Sequence, residues 1–350
     1  MHLDGHFLQY AGRFRLVRKI ATGGMATVYE AEQLGPHGFA KRIALKVIHP
    51  RYAQQEEWLQ LFIDEAKLSA NLIHGNVVQI FQLGQVEGEF FIAMEFIQGP
   101  TLRSMLDRHA ELGMPIPATI AAYIVSRVCR ALDFAHNFVD QDGNRLDIVH
   151  RDVSPGNVMV SWDGHIKLAD FGIAKARTSI DPAERRPMMM GKKHYMSPEQ
   201  MLGLPADPRS DVFSLGIVLY ELLTLQRLFI EEMTELAIDE VAINPLPDLR
   251  ARVRGIAPEV ERVLSLALDK DPDRRPTAAL MGRALDAWCS SQRQEGSPDR
   301  LQEHLAKIFP TTYQPLTDPA EETSFKNLRR ALVDGKGEKR KGLLARMLGR

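Results

Sequence analysis

Residues 148–160, IVHRDVSPGNVMV, set a carboxylate, Asp152, five residues ahead of an amide, Asn157. A second carboxylate, Asp170, follows in the stretch ADFG. A His-Arg-Asp triplet followed five residues later by Asn is what phosphoryl transfer to a hydroxyl uses. Two residues past Asp152, where a lysine would be expected for such a transfer, the chain has Ser154. The loop therefore reads either as working or as decayed.

Upstream, IATGGMATVYEA joins two strand patterns, and Gly23 and Gly24 would let backbone amides approach phosphates. RIALKVI sets Lys46 in mid-strand, 23 residues after Gly23, among apolar neighbours where an ammonium is costly unless paired. The candidate partner is Glu65 in FIDEA, on a helical face that also carries Phe62 and Leu68. Taken alone, the glycine stretch reads equally as a hairpin turn; Lys46 with Glu65 shifts the balance toward a phosphate site, a salt-bridged surface lysine being the alternative.

Such groups need a frame, and 350 residues suffice for one large or two modest domains with real cores. From Phe14 to about Phe96 the pattern is mainly of strands: RFRLVRKI, ATVYEAEQ, RIALKVI, VVQIFQLGQ and FFIAMEFI, interrupted by one helical stretch, EEWLQLFIDEAKLSANL. After Gly99 long helical patterns take over, among them ATIAAYIVSRVCRALDFAH and DVFSLGIVLYELLT, with short strands only around NVMVSWDGHIKLAD. The fold class expected is α+β, a small sheet-rich lobe joined near EFIQGP to a larger, mainly helical one. The domains expected are an N-terminal extension over 1–13, a lobed domain over 14–288 (14–96 and 100–288), and a polar tail over 289–350.

Composition narrows the partners. Lys and Arg number 44 against 45 Asp and Glu, so the whole chain offers no electrostatic case for nucleic acid. Cys129 and Cys289 lie far apart in apolar helical stretches and read as buried thiols in a reducing compartment. MHLDGHFLQY lacks a basic n-region and a cleavage site, and the most apolar run, VFSLGIVLYELL, carries Glu221 and is too short to span a bilayer. A cytoplasmic protein is expected.

With these stretches in order, the chain resembles the eukaryotic-like protein kinases, and among them the bacterial Ser/Thr kinases, through GGMATVYEA, IALKV, HRDVSPGN, ADFGIAK, YMSPEQ, SDVFSLGIVLYELLT and DPDRRPTA over roughly residues 14–288. The resemblance implies the bilobal kinase fold, with ATP and Mg²⁺ (or Mn²⁺) as cofactors and protein hydroxyls as acceptors. It assigns catalytic roles to Lys46, held by Glu65, and to Asp152, Asn157 and Asp170, with Asn157 and Asp170 on the metal. The nucleotide would lie against Ala21, Thr22, Gly23, Gly24, Met25, Ala26, Val28, Ala44, Lys46 and Met159, with Met94 as gatekeeper and Glu95 and Ile97 offering backbone bonds to adenine. Only the middle glycine of the family's loop is kept, as Gly23; the outer two are Ala21 and Ala26. His150 and Phe171 would pack behind the site, Asp211 would tie down the catalytic loop, and Glu199 and Arg275 would form a buried ion pair. The alternatives are a pseudokinase scaffold and a small-molecule kinase; YMSPEQ and DPDRRP, which in the family build the peptide platform, weigh against the second.

Two departures from the family pattern stand out. Its catalytic-loop lysine is Ser154, and the threonine after the glycine that ends its activation segment is Lys192, in GKKHYMSPE. In the family those side chains meet beside the catalytic Asp, so an exchange is expected: Lys192 neutralises the transferring group and the Ser154 hydroxyl hydrogen-bonds near Asp152. Simple tolerance of Ser154 and loss of activity remain the alternatives. Arg151, which in relatives is held by an activation-segment phosphate, faces a segment offering only Thr178 and Ser179; Glu184 could substitute, or the loop could be ordered without either. In the tail, SSQRQEGSPDR reads as a linker, LQEHLAKIF and SFKNLRRALV as amphipathic, and GKGEKRKGLLARMLGR as a basic end that could meet an anionic membrane or an acidic partner or stay solvated.

Overall fold

The computed structural model describes residues 13–86, 89–171, 193–229, 255–292 and 296–310. Lys192, Thr178, Ser179, Glu184, the SFKNLRRALV stretch and the basic end lie outside the described residues. The described residues divide into two compact units, those of 13–56 and 81–96 in the first and those of 57–80 and 97–310 in the second.

In the first unit, β1 (Arg13–Thr22), β2 (Ala26–Leu34) and β3 (Ala40–Ile48) run as two hairpins, followed by the short helix α1 (Pro50–Ala53). With β4 (Ile80–Val86) and β5 (Glu89–Glu95) they form one sheet in the order β1-β2-β3-β5-β4, antiparallel along the first three pairs. Register decides what each face holds, because residues opposite one another on paired strands point the same way. Tyr29, Ala31, Ile43, Leu45, Val47, Phe91 and Ala93 form a core on one face, closed by Phe14 edge-on to Phe91. Strand β4 starts at Ile80, three residues later than the sequence pattern suggests. Val77 and Val78 instead pair with Leu168 of the second unit's small sheet.

Among the described residues the second unit holds α2 (Glu56–Ala70), α3 (Leu102–Leu112), α4 (Ala118–His136), the two-stranded sheet of β6 (Val158–Val160) and β7 (Ile166–Leu168), and five further helices. These are α5 (Pro198–Met201), α6 (Pro208–Thr224), α7 (Pro258–Ala267), α8 (Ala278–Ser291) and α9 (Pro298–Ile308). Helix α6 is apolar around its circumference, the pattern of a helix with no solvent face, and every residue from Ser210 to Leu222 is buried. Gly282 lets α8 approach α4 closely: a Cβ there would lie 2.9 Å from that of Cys129. Helix starts are capped by Thr101, Thr277 and Ser297, whose hydroxyls accept the N–H three residues on, each worth about 1 kcal/mol. Both thiols are buried as expected; burial raises the Cys129 pKa and pushes Cys289 up to about 11.

The tail differs from the sequence reading. Ser290 and Ser291 end α8, and Pro298–Arg300 begin α9, so both ends of the expected linker are helix. Leu301, Leu305 and Ile308 are fully buried in the unit's core. Among the described residues no helix is long and apolar enough to cross a membrane.

Candidate active site

The first unit carries the glycine turn and Lys46. Strand β1 ends at Thr22 and β2 begins at Ala26, and the Gly23 N–H donates to the Ala26 carbonyl at 2.8 Å. Residues the motifs did not single out hold this turn. Arg51 of α1 donates to the Gly24 carbonyl at 3.0 Å, the His49 N–H bonds the Met25 carbonyl at 2.9 Å, and the His49 ring meets the Thr27 hydroxyl at 3.0 Å. Burial, with Arg51 nearby, keeps the His49 pKa below its ordinary value. Val28 stands opposite Lys46, which stands opposite Ile92; Ala26 faces Ile48, Ala44 faces Met94, and Ala21 faces Val28. The pleat therefore gathers Ala21, Ala26, Val28, Ala44, Lys46 and Met94 on one face, opposite to the small core. Thr22, paired with Thr27, has the other parity.

In the second unit the catalytic-loop candidates come together. Asp211, wholly buried near the start of α6, accepts the backbone N–H of His150 and of Arg151, each at 2.8 Å, and the His136 ring N–H at 2.8 Å. The expected tie is thus present, with His136 as an added donor. Arg151 has φ 62° and Asp170 φ 57°, left-handed conformations that a non-glycine residue keeps only where surrounding bonds hold them. The Asp152 N–H donates to His150 Nδ1 at 3.2 Å, so His150 Nε2 carries the proton and donates to the Ala169 carbonyl at 3.0 Å. Phe171, 1% exposed, packs its ring 4.6 Å from that of His150.

Asn157 closes the loop. Its Nδ2 donates to the Asp152 carbonyl at 2.8 Å and to Asp152 Oδ2 at 2.9 Å, and its carbonyl accepts the Ala169 N–H at 2.9 Å. Those bonds use the amide hydrogens and leave Oδ1 as an oxygen donor one residue-pair away from Asp170 in the ladder, since Val158 pairs with Leu168. An amide oxygen and a carboxylate are hard donors of the kind Mg²⁺ takes when phosphates complete its shell, and they fit such an ion. Among the described residues no cluster of three or more His, Cys, Asp or Glu is set to hold a metal without phosphates. Ser154, 4% exposed, starts the turn that ends at Asn157 but makes no side-chain cap bond there. Met159 lies on β6, bridged to Thr101, and Ile97 opens the second unit's strap. Glu65 is half-buried on α2, in the second unit, whereas Lys46, Met94 and Glu95 belong to the first.

The segment that would receive a peptide is tied to this loop. Ser197 caps α5 through a capping box with Gln200, and Gln200 Nε2 also donates to the Arg151 carbonyl at 3.1 Å. The S-x-x-Q spacing announces the box; the reach to Arg151, 49 positions away, has no local signal. Tyr195 donates to Glu221 at 2.5 Å, and Arg103 of α3 bonds both. Glu199 and Arg275 form the expected buried pair, at 2.6 and 2.9 Å, with Ser210 adding a 2.6 Å bond. Burial opposes the Glu199 charge, yet the Arg275 and Ser210 bonds outweigh it and hold its carboxyl below the ordinary value.

Comparison with known proteins gives one family. The model of the protein kinase domain matches residues 14–284. The chain is 36% identical over 284 residues to tyrosine-protein kinase MasK of Myxococcus xanthus, covering 81% of this chain and 44% of that protein. It is 35% identical over 289 residues to serine/threonine-protein kinase PknB of Mycobacterium leprae, again covering 81% and 44%. The chain thus spans less than half the length of these curated relatives. Among solved structures, the PknI kinase domain of Mycobacterium tuberculosis superposes with a TM-score of 0.58 at 28% identity, covering 81% of this chain and 98% of that one.

Proposed function

This chain belongs to the protein kinase family, and from that premise we propose that it transfers the γ-phosphoryl group of ATP to serine and threonine hydroxyls of proteins, itself included. The observation that carries the reading is the grip of Asn157 on Asp152, inside a loop clamped by Asp211. A carboxylate fixed at one rotamer costs no reorganisation when a hydroxyl arrives, and positioning supplies most of the catalysis in a transfer of this kind.

Asp152 accepts or orients the proton of the attacking hydroxyl. Lys46 grips the α and β phosphates, with Glu65 as its partner. The Asn157 amide oxygen and the Asp170 carboxylate hold Mg²⁺, which when bound neutralises charge on the phosphates. The face of the sheet opposite the small core takes the nucleotide against Ala21, Ala26, Val28, Ala44 and Met94, with Thr22 at the end of β1 and Gly23, Gly24 and Met25 in the turn. Met159 and the backbone of Glu95 and Ile97 complete the contacts to the base. Incubation of the full chain with radiolabelled ATP and a generic protein substrate, followed by phosphoamino-acid analysis, tests the assignment. Phosphoserine and phosphothreonine are expected, and label confined to phosphotyrosine would overturn the acceptor class. The likeness to MasK, described as a tyrosine kinase, favours that second reading.

Lys192 supplies the charge that Ser154 lacks. Lys192→Ala is then expected to slow transfer at least tenfold, the scale of one lost charged contact to the transferring group. A rate and an ATP KM within a few-fold of the unaltered protein would reduce Lys192 to a solvated loop charge. The protein works in the cytoplasm, and its basic end, GKGEKRKGLLARMLGR, meets an anionic membrane or an acidic partner. Co-sedimentation with phosphatidylserine vesicles, compared with a chain ending at residue 335, checks the membrane reading; equal recovery of both would refute it.

A further inference from the structure

Helix α9 lies beyond the family match, which ends at residue 284, yet it is built into the second unit at three levels. At its start, a Cβ on Gly164, whose φ is 81°, would lie 2.1 Å from the Pro298 carbonyl oxygen, so only glycine lets the two backbones meet. Midway, His304 and His109 of α3 stack with centroids 4.9 Å apart and share one bond of 2.8 Å. His109 Nδ1 faces the Met114 carbonyl at 2.9 Å and must carry a proton, so His109 Nε2 accepts from His304 Nε2–H. At its end, Arg108 Nε donates to the Ile308 carbonyl at 2.8 Å, and Phe309 meets Trp162 edge-on at 5.7 Å.

Trp162 connects this helix to a second element. It lies in the β6–β7 turn, and its backbone N–H donates to the Gln98 carbonyl at 2.8 Å. The Val160 N–H donates to the Pro100 carbonyl at 2.9 Å, and a Cβ on Gly99 would lie 2.0 Å from the Val160 carbonyl oxygen. Residues 98–100 are thus laced to the turn whose Trp162 ring and Gly164 backbone seat α9. This strap follows Ile97 directly.

We infer that α9, through Phe309 and Trp162, is a positioning element that holds residues 97–100 in place for the adenine base, an inference that rests on the nucleotide reading above. A strap already immobilised by the turn loses less freedom when the base docks. The helix touches no reacting atom; it acts through the β6–β7 turn.

The test uses the full chain and MgATP as the probe. Phe309→Ala is expected to weaken ATP binding by roughly three- to tenfold, the scale of one or two groups left to be ordered on binding, and to speed amide exchange at Trp162 and Val160 without nucleotide. Met281→Ala, a core truncation in α8, lowers stability as a control and should leave both readouts unchanged. Unaltered ATP affinity and exchange in Phe309→Ala would reduce α9 to a structural appendage and overturn the inference alone. A wild-type chain that binds no ATP would overturn the nucleotide reading and this inference with it.

Discussion

Asp152→Asn is expected to lower phosphoryl transfer by roughly two to four decades, about 3–5 kcal/mol of transition-state stabilisation, with the protein still folded. The change keeps the shape of the side chain but removes the charge that draws the hydroxyl proton. Its neighbours explain why folding should survive. The Asp152 backbone carbonyl, which accepts from Asn157 at 2.8 Å, is untouched, and the loop's main tie is the Asp211 carboxylate on the N–H groups of His150 and Arg151. The measurement is single-turnover transfer alongside thermal unfolding. A variant within tenfold of wild type would remove Asp152 from the reaction, and with it the role assigned to the loop.

Arg275→Ala should destabilise the second unit by about 3–5 kcal/mol, the cost of stranding a buried charge. Arg275 has no exposed side-chain surface, and besides Glu199 it serves the carbonyls of Asp269, Arg209 and Lys270 at 2.6, 3.1 and 3.1 Å. Its guanidinium also lies 4.8 Å from the Phe213 ring centroid, against the central helix α6. Truncation leaves a buried carboxylate with Ser210 and its own backbone, and takes one donor from each of three carbonyls. Glu199→Gln is expected to cost less, because an amide oxygen can still accept from the guanidinium. Denaturant unfolding of the two variants checks the order. A loss below about 1 kcal/mol for Arg275→Ala would mean that water reaches the pair and relieves it.

Much of this architecture was legible in local pattern. The helical period over 118–136 gives α4 with the same ends, and the alternation in RIALKVI gives β3 with Lys46 on the face opposite to Ile43, Leu45 and Val47. The family's motifs, in order, implied the bilobal fold, the Asp211 tie and the Glu199–Arg275 pair. Local pattern misleads where polar composition suggests a linker. Residues 298–300 begin a helix because Ser297 caps it and Leu301, Leu305 and Ile308 have a core to enter, and a cap followed by three spaced apolar residues cannot reveal by itself that such a core exists.

The sequence by itself determined which segments are strands and helices, which faces they bury and which chemistry-bearing residues the chain possesses, because side-chain period and backbone preference act over a few residues. Tertiary structure alone decided who meets whom. His136 and His150 converge on Asp211 from 75 and 61 positions away, Gln200 reaches the Arg151 carbonyl, and His304 finds His109 across 195 positions. Each contact requires the closure of a long loop and the burial of polar groups that must then be paired, and no local stretch of sequence records which distant group will do the pairing.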